Sequence, residues 1–381
     1  MLTYNKYIDF YSVNRVFLFM ILFFSSPIGL GHITRDIAIM DKVIELYDYN
    51  NFGVVTGSVA YNFISNLNNS IYGGKMFIYN LYDPPSFSIV DGKLNHGFLW
   101  LLKYLYYYNN CKKSLQKFFC SNDYTRNASE IIMTDEDFAS LSFTKNLNIR
   151  RIFITDVLNT AFCKSYLSSK LEKILNNSMR NLIKSSECVL IPELGEDKDN
   201  FFYVGPIVRE INSNRYELRK KLSFDKKTIL VSTGGTMSGL YLLKKTVESF
   251  SRLKNNCDYD LVILSNHDVK IPKLGSNYRY DGMVGNGHEY VNACDLIISL
   301  AGKSTIDESM VYGTPGIFIP IKNHFEQEHR AGLLGFKYDD IYKLDSLIEE
   351  KLSTVEHKKL EKVDNGVLKA AKIIGKYLNN Y

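Results

Sequence analysis

The turn at residues 301–305 (AGKST) combines small residues and hydroxyl groups in a setting that suits a phosphate. It follows an apolar run at 296–299 that we interpret as a buried parallel strand, and a helix is predicted to begin within it. The unpaired N–H groups and the dipole of a helix N-terminus both favour an anion. The residues predicted to bind the phosphate are Gly302, Ser304 and Thr305.

Glu308 lies about one helical turn further along, where its carboxylate would reach the hydroxyls of a ribose. The two features together favour a nucleotide diphosphate as the ligand. The alternative is an ordinary capped helix, with Ser304 or Thr305 as the N-cap and Asp307 or Glu308 as its early acidic residue. Capping and phosphate binding compete for the same backbone amides.

A second glycine turn, at 29–35 (GLGHITR), places His32 at the start of another predicted helix. Gly31 lets the backbone approach a ligand closely. His32 would face a cleft between two domains, where it would act as a base with a pKa near neutrality. A histidine that caps its own loop is the alternative. The turn is not the dinucleotide-binding fingerprint, because Thr34 takes the third glycine position and no acidic residue ends a recognisable second strand.

Two further polar turns follow predicted strands in the second half of the chain. Gly235 and Thr236 follow the strand at 228–232, where backbone amides would bind phosphate or sugar oxygens. The cluster at 326–328 (EQE) follows the strand at 316–320, within reach of a ligand in the same cleft. For both turns, an ordinary surface loop is the alternative.

The elements that must position these turns alternate between apolar, strand-like runs and amphipathic, helical patterns. Such alternation predicts right-handed βαβ crossovers and parallel sheets covered by helices on both faces. The predicted strands are at 17–25, 52–55, 130–134, 151–155, 188–192, 228–232, 259–264, 296–299 and 316–320. The predicted helices are at 35–47, 98–108, 167–184, 288–294, 344–352 and 357–379, with one more from the 233–236 turn to about residue 253.

The same pattern divides the chain into two halves. We predict an N-terminal domain at 16–205, a linker at 206–223, a C-terminal domain at 224–362 and a final helix at 363–381. The fold class is α/β, with two doubly wound, Rossmann-like parallel-sheet domains that face a cleft. Glycine turns would line this cleft from both sides.

Composition indicates a folded globular protein and excludes some classes of site. Of 381 residues, 45% are hydrophobic and 23% charged, and the net charge of +5 is too small to argue for nucleic acid. The six cysteines form no zinc pattern, and Cys188 and Cys294 lie in or beside apolar runs, so buried thiols in a reducing cytoplasm are expected. The D-x-D at 258–260 precedes a strand instead of ending one, so neither a metal site nor a cofactor is predicted.

The apolar run at 16–24 is too short to span a bilayer and leads directly into the 29–35 turn, so we interpret it as the first strand. A signal peptide, with Lys6 and Arg15 as its charged region, is the alternative. Met20 is a further candidate for the start of translation, which would make residues 1–19 an extension. The intact mass of the natively expressed protein tests this hypothesis.

Four segments together resemble the two-domain GT-B sugar transferases, and the resemblance covers most of the chain. They are 25–36 (SSPIGLGHITRD), 203–209 (YVGPIVR), 231–236 (VSTGGT) and 294–331, the last being the most specific. The resemblance is to the family 28 group, around the peptidoglycan lipid II-forming N-acetylglucosaminyltransferase and its archaeal and bacterial relatives. The sequence departs from that group in a shorter turn at 27–32, in Leu300 where an arginine is common, and in Arg330 and Ala331 where Asn-Ala is expected.

The resemblance implies that the C-terminal domain holds a nucleotide-sugar, most often a uridine diphosphate sugar. It implies that the backbone around Val284 contacts the nucleotide base, and that Gly302, Ser304 and Thr305 bind the diphosphate. Glu308 would bind the ribose, and Gln327 the donor sugar. Gly31, Gly235 and Thr236 would complete the nucleotide-sugar site. The N-terminal domain would take the acceptor, with His32 near the reacting carbon. The last helix would cross back onto the N-terminal domain.

These assignments imply an inverting, metal-independent glycosyltransferase in which His32 accepts the proton of an acceptor hydroxyl. Nucleotide-sugar hydrolases share the fold and a very similar IGLGHI-x-R turn, and in them the same histidine would activate water. Transfer is preferred because the larger N-terminal half offers room for an acceptor. A non-catalytic nucleotide-sugar-binding protein and a nucleotide-sugar 2-epimerase are the remaining alternatives.

Only one segment of the sequence suggests what kind of acceptor would bind. The aromatic helix at 98–108, with Lys103 and the nearby Lys112, Lys113 and Lys117, would suit a membrane surface and a lipid-linked acceptor. A buried helix beside a charged turn is the preferred alternative. The expected location is the cytoplasm, with the inner face of the membrane as the place where a lipid-linked acceptor would be met.

Overall fold

The computed structural model describes residues 20–121, 129–235, 237–265, 275–355 and 362–378. The predictions for residues 1–19 and for Thr236 lie outside this part of the chain. Two parallel sheets with helices on both faces organise the described residues, so the predicted α/β class is confirmed. Cys188 and Cys294 are buried free thiols, as predicted.

The N-terminal domain is built on a parallel sheet of seven strands. These are β1 (Met20–Ser25), β2 (Phe52–Gly57), β3 (Phe77–Tyr82), β6 (Ser129–Asp135), β7 (Arg150–Ile154), β8 (Cys188–Ile191) and β9 (Phe201–Tyr203). They lie in the order β3-β2-β1-β6-β7-β8-β9. Every residue of β1 is buried, since helices cover both faces of a parallel sheet. An antiparallel hairpin, β4 (Ile89–Val90) and β5 (Lys93–Leu94), stands outside this sheet.

Five helices belong to the first half of the described chain. They are α1 (Gly31–Tyr47), α2 (Ser58–Ser70), α3 (Gly97–Ser121), α4 (Phe138–Thr144) and α5 (Tyr166–Lys184). The sequence predicted α1 and α5 and the first half of α3, but not α2, α4, β3 or β9. β3 and β9 are mostly half-buried along their length, so they lack the continuous apolar run that identifies a central parallel strand.

The C-terminal domain is built on a parallel sheet of five strands. These are β10 (Lys227–Ser232), β11 (Tyr259–Leu264), β12 (Tyr278–Gly282), β13 (Leu296–Leu300) and β14 (Gly316–Ile319), in the order β12-β11-β10-β13-β14. Its described helices are α6 (Arg215–Lys221), α7 (Leu240–Phe250), α8 (Gly287–Ala293), α9 (Lys303–Tyr312), α10 (Phe325–Leu333) and α11 (Leu344–Val355). The sequence predicted four of the five strands and missed β12, which is only partly buried.

Each sheet reverses its strand order once, and both reversals lie at the predicted site. The N-terminal chain runs outward from β1 to β3 and then returns to place β6 on the other side of β1. The C-terminal chain does the same between β10 and β13. Ligands of open α/β sheets bind in the crevice beyond the carboxyl ends of the strands at such points. The turns that carry His32 and Gly302 follow β1 and β13 into these two crevices.

Two segments connect the domains. The predicted linker at 206–223 contains α6, which begins at Asn214 with a capping box and packs Leu218 into the C-terminal core. The last described helix, α12 (Val367–Leu378), lies against the N-terminal domain, where Ile374 joins the core beside α1. The residue boundaries of the domains stay a prediction.

Candidate functional site

Two helix N-termini meet across the cleft, one from each domain. α1 begins after Leu30 and α9 after Gly302, and neither of these residues caps its helix with a side chain. The two first turns come together where Thr34 Oγ1 lies 3.4 Å from Ser304 Oγ. Neither first turn carries an acidic residue, so the positive ends of both helix dipoles face the same space.

The capped-helix alternative for α9 is therefore wrong. Ser304 and Thr305 lie inside the first turn, and the N-cap position belongs to Gly302, which has no side chain to cap with. The first N–H groups of a helix have no partner within the helix, so they need a partner from elsewhere. An anion in the cleft is the partner that this geometry favours.

Two glycines let the domains approach closely at this point. A Cβ placed on Gly31 would lie 3.4 Å from the Cβ of Ser304, in the opposite domain. A Cβ on Gly235 would lie 2.6 Å from Leu30 Cγ, which is closer than real side chains come. A larger residue at position 235 would therefore force the Leu30 side chain to move.

His32 is held by a carboxylate at the end of the neighbouring strand. Its Nδ1 lies 2.9 Å from Asp135 Oδ1, and Arg35 Nε donates to the other carboxylate oxygen over 2.8 Å. Nδ1–H of His32 donates a hydrogen bond to the buried Asp135 carboxylate. Nε2 is therefore the ring nitrogen that is free to take up a proton. This nitrogen lies 3.8 Å from Glu136 Oε2, and both residues line the cleft.

The pKa of His32 is raised to about 9, and the prediction of a value near neutrality was wrong. Burial lowers this pKa, but attraction to the Asp135 carboxylate and the hydrogen bond with it outweigh the effect of burial. The sequence prediction considered His32 alone. Its partner lies 103 residues away in the chain and meets it only because β1 and β6 are neighbours in the sheet.

A second group of charges joins the two domains. Asp156 accepts a hydrogen bond from Arg330 of the C-terminal domain and another, over 3.3 Å, from Arg35 Nη1. The two guanidinium groups hold the pKa of Asp156 well below its ordinary value although burial acts to raise it. Next to it, burial and the Asp156 charge raise the pKa of Glu136 to about 8.

Sequence analysis did not assign a role to Asp135, Glu136 or Asp156. A signal was present, because two predicted strands each end in an aspartate, at Asp135 and at Asp156. Adjacent parallel strands place their carboxyl ends at one edge of the sheet, and β6 pairs with β7. This pattern would have allowed the prediction that Asp135 and Asp156 lie together at the cleft.

The C-terminal half of the cleft contains a half-buried glutamate, Glu308. Glu308 lines the cleft, and burial raises its pKa to about 8, with Arg209 lowering it and Asp307 raising it. One turn earlier, Lys303 Nζ pairs with Asp307 Oδ1 at 2.9 Å. Within the described residues, no side chain donates a hydrogen bond to Glu308, and its role at the ribose stays a prediction.

The other predicted donor contacts lie on the loop at Val284 and in the first turn of α10. The carbonyl of Gly285, next to Val284, accepts a hydrogen bond from Arg209 Nη1 over 2.9 Å. Gln327 Oε1 accepts one from the backbone N–H of Ile321 over 3.0 Å, which fixes the side chain relative to the end of β14. Hydrogen bonds therefore hold both segments where they line the cleft.

Predicted site residues from both domains line one cavity of about 940 Å³. The predicted site residues that line it are Gly31, His32, Gly235, Val284, Gly302, Ser304, Thr305, Glu308 and Gln327. Thr236 lies outside the described residues. The cavity also has an apolar arm that sequence analysis did not predict, lined by N-terminal side chains that include Phe87, Trp100, Tyr104, Phe138, Phe162 and Met179.

Known sequences resemble this chain most clearly in its C-terminal half. Residues 228–372 match the model of the glycosyltransferase family 28 C-terminal domain. The chain is similar to an uncharacterized glycosyltransferase of Methanopyrus kandleri, with 25% identity over 54% of this chain and 61% of that relative. It is also similar to a UDP-N-acetylglucosamine--N-acetylmuramyl-(pentapeptide) pyrophosphoryl-undecaprenol N-acetylglucosamine transferase of Thermosipho melanesiensis, with 29% identity over 42% of this chain and 48% of that relative. The match thus spans about three fifths of the first relative and about half of the second.

Solved structures are similar over nearly the whole chain. The spinosyn rhamnosyltransferase SpnG matches 95% of this chain and 96% of its own, with a TM-score of 0.59 and 12% identity. The calicheamicin glycosyltransferase CalG4 matches 95% and 98%, with a TM-score of 0.57 and 13% identity. Similarity at this level of identity shows the fold, and the predicted GT-B fold and family 28 resemblance are confirmed. The chain therefore has the GT-B fold, and its residues 228–372 match the glycosyltransferase family 28 C-terminal domain.

Proposed function

We propose that the protein transfers a sugar from a nucleotide diphosphate sugar to an acceptor hydroxyl, with inversion at the anomeric carbon. One observation carries the proposal. The uncapped N-termini of α1 and α9 converge in the cavity that also contains the Asp135-bound His32. An anion site and a base thus share one cleft, as a displacement of a diphosphate leaving group requires.

The donor would lie against the C-terminal domain. The diphosphate would accept hydrogen bonds from the first turn of α9 at Gly302, Ser304 and Thr305, while Glu308 would hold the ribose. Backbone at Val284 would meet the base, and Gln327 the sugar. The Thermosipho melanesiensis relative is named for a uridine diphosphate sugar, which supports uridine as the nucleoside here.

His32 would act as the general base. Its Nε2 accepts the proton of the acceptor hydroxyl while that oxygen forms a bond to the anomeric carbon, and the bond from this carbon to the diphosphate oxygen breaks. Attack from the face opposite the leaving group inverts the configuration. The two helix N-termini and the hydroxyl of Ser304 stabilise the charge that develops on the leaving group, so the proposed mechanism assigns no step to a metal.

Hydrolysis is the competing proposal, since the same His32 would activate a water molecule. The apolar arm of the cavity favours transfer, because a hydrolase needs no space for a second substrate. Product analysis separates the two: a transferase releases little free sugar until an acceptor is added, whereas a hydrolase releases it at full rate without one. Binding of a nucleotide-sugar with neither product would identify a non-catalytic binding protein.

Thermal-shift screening against nucleotides and nucleotide-sugars tests donor binding first. A ligand that binds only the folded protein at about 100 times its Kd stabilises it by about 2.7 kcal/mol, which is readily measured. We expect a uridine diphosphate sugar to raise the melting temperature more than uridine alone. The absence of stabilisation by every nucleotide diphosphate sugar would contradict the proposed donor site.

Glu308→Ala should weaken binding of uridine diphosphate by about 10- to 100-fold, because the ribose loses hydrogen bonds worth about 1.5–3 kcal/mol. Isothermal titration calorimetry with uridine diphosphate and with pyrophosphate measures this loss. Pyrophosphate lacks the ribose, so its affinity should stay unchanged in the variant. The matched control is Glu196→Ala, an exposed glutamate outside the cavity. Equal losses for both ligands would contradict the assignment of Glu308 to the ribose.

A membrane-bound acceptor would require a surface on which the protein meets lipid. α3 buries Trp100 and Leu101, but its other face exposes Leu99, Leu102 and Tyr106 beside Lys103. In the described chain, no helix is both long and apolar enough to cross a bilayer. We propose that this face of α3 lies on an anionic membrane, which would place the protein at the inner face of the membrane.

Leu102→Glu should reduce co-sedimentation with vesicles of phosphatidylglycerol and phosphatidylcholine, because it places a negative charge on the proposed lipid face. Leu333→Glu is the control, since Leu333 is also exposed but lies on α10 of the C-terminal domain. Failure of the unaltered protein to bind these vesicles would count against a lipid-linked acceptor.

A further inference from the structure

Five aromatic rings from both domains meet at one end of the cavity. Phe87 and Trp100 stack with ring centroids 4.5 Å apart, and Phe162 lies 4.9 Å from Trp100. From the C-terminal domain, Phe325 contacts Phe162 edge to face at 4.8 Å, and His324 lies 5.3 Å from Phe87. All five residues line the cavity, and we call them the junction cluster.

The junction cluster exists only because the β4–β5 hairpin of the N-terminal domain reaches the C-terminal domain. The backbone N–H of Leu94 donates to the Lys322 carbonyl over 2.8 Å, and the N–H of Lys322 donates to the Gly92 carbonyl over 2.9 Å. Tyr338 fixes the turn of the hairpin, because its hydroxyl donates to the Asp91 carbonyl over 2.6 Å. These bonds hold Phe87 and His324, on either side of the junction, in contact.

Two ring nitrogens in the junction cluster lack a hydrogen-bond partner within the described residues. They are Trp100 Nε1 and His324 Nδ1. Trp100 is 8% exposed and His324 is 7% exposed, so neither ring can rely on bulk water. Buried polar groups almost always have a partner, and those that lack one in a free protein often meet a ligand. Burial lowers the pKa of His324, so its ring is neutral at physiological pH.

The position of the junction cluster relates it to the acceptor. His324 is the N-cap of α10, and Gln327 follows it within the first turn of the same helix, at the proposed donor sugar. On the opposite side, the cavity continues into the apolar arm formed by α3, α4 and α5. A group held by the junction cluster therefore lies between the donor sugar and the space for the rest of the acceptor.

We propose that the junction cluster is a binding subsite for an apolar, aromatic ring that carries an oxygen at its edge. The rings of Phe87, Phe162 and Phe325 offer stacking and edge-to-face contacts, and the indole N–H of Trp100 donates a hydrogen bond to the oxygen. This inference rests on the proposed function, since it assigns one aromatic group of the acceptor to the junction cluster.

Trp100 is the only tryptophan in the chain, so intrinsic tryptophan fluorescence reports on this subsite alone. The full-length protein is titrated with anisole and with ethylbenzene, two probes of nearly the same shape of which only anisole carries an oxygen on the ring. We expect a saturable change in Trp100 emission with both probes and a several-fold tighter apparent affinity for anisole. A site built to donate a hydrogen bond rejects the analogue that lacks the acceptor.

Phe162→Leu keeps much of the volume of the side chain but removes its ring, and it should abolish the response to anisole. Phe98→Ala is the matched control, because Phe98 lies on α3 near Trp100 but does not line the cavity. A response that survives in Phe162→Leu would overturn the proposal, and so would the absence of any saturable change in the unaltered protein. Should Phe162→Leu fold poorly, Phe325→Leu tests the same contact from the C-terminal domain.

Two further probes separate other sources of a response. A change with n-octyl β-D-glucopyranoside below its micelle concentration, but not with anisole, would assign the subsite to an aliphatic lipid chain and overturn the ring assignment. A change with methyl β-D-glucopyranoside alone would assign it to a sugar ring with the same consequence. Stabilisation by uridine diphosphate is measured in parallel, so a failure of the donor site is distinguished from a failure of this subsite.

Discussion

His32→Ala should lower the rate of sugar transfer by about 10²- to 10⁴-fold, the usual contribution of a positioned general base. The loss should appear in kcat, because the imidazole acts on the acceptor hydroxyl during the reaction and contributes little to holding the donor. Nucleotide binding rests on α9 and should stay within a few-fold of the unaltered protein. Steady-state kinetics and calorimetry with uridine diphosphate measure the two effects separately.

The control for this variant is His329→Ala, which removes an exposed histidine of the C-terminal domain. It should retain full activity, so any loss in His32→Ala is specific to position 32. The same pair does not distinguish transfer from hydrolysis, because a hydrolase would lose its release of free sugar in His32→Ala to a similar extent. Product analysis makes that distinction. Near-full activity of either kind in His32→Ala would remove the histidine from the mechanism.

Asp135→Asn should lower the transfer rate by as much as about 10⁴-fold, the effect of the same change in Ser-His-Asp triads. The carboxylate accepts the Nδ1 proton of His32 and so keeps Nε2 free to take up the proton of the acceptor. An asparagine amide can donate to Nδ1 instead, which leaves the ring proton on Nε2, the nitrogen that must accept the proton of the acceptor. The geometry is maintained in this variant, but the tautomer is not.

The pH dependence of the same variant gives a second, independent readout. A base is active when it is unprotonated, so kcat/KM of the unaltered protein should rise with pH and level off above about 9, where His32 loses its proton. Attraction to Asp135 is what outweighs burial and raises this pKa, so Asp135→Asn should move the rising limb to lower pH. Asp225→Asn, an exposed control, should leave it in place. An unshifted limb in Asp135→Asn would show that His32 is not the titrating group.

Asp135→Asn should also destabilise the protein. Asp135 is fully buried and pairs with Arg35, and breaking a buried ion pair by removing one partner typically costs about 3–5 kcal/mol. Arg35 retains Asp156 as a partner, so the loss should fall toward the lower end of this range. Urea denaturation measures it, and activity is compared only under conditions in which both proteins are folded.

Local sequence patterns were enough to predict most of the elements that carry the site. β1, β10 and β13 are continuous apolar runs because both faces of a parallel sheet are buried, and the turns after them are visible as glycine and hydroxyl residues. The elements that were missed have weaker patterns. β3 and β12 lie at the edges of their sheets, and their side chains are mostly half-buried, so no apolar run marks them.

α5 shows why the apolar arm could not be predicted from periodicity. Its amphipathic pattern suggested a helix that buries its apolar face, but the structure buries Glu172 and Asn176 and exposes Leu167 and Ile174. Glu172 accepts hydrogen bonds from the backbone N–H groups of Phe162 and Cys163 and so fixes the loop that carries Phe162 to the cavity. A buried polar residue that holds a loop has no periodic signature in a single sequence.

The sequence by itself determined the α/β class and the glycine turns at the strand ends, because these depend on residues adjacent in the chain. The turn at 301–305 already indicated a phosphate site at the start of a helix. Only the tertiary structure decided that this helix N-terminus is uncapped and faces the N-terminus of α1, and that Asp135 sets the pKa of His32. Those properties depend on which strands are neighbours and on how the two domains meet. The electrostatic energies that fix them act through space between residues far apart in the chain.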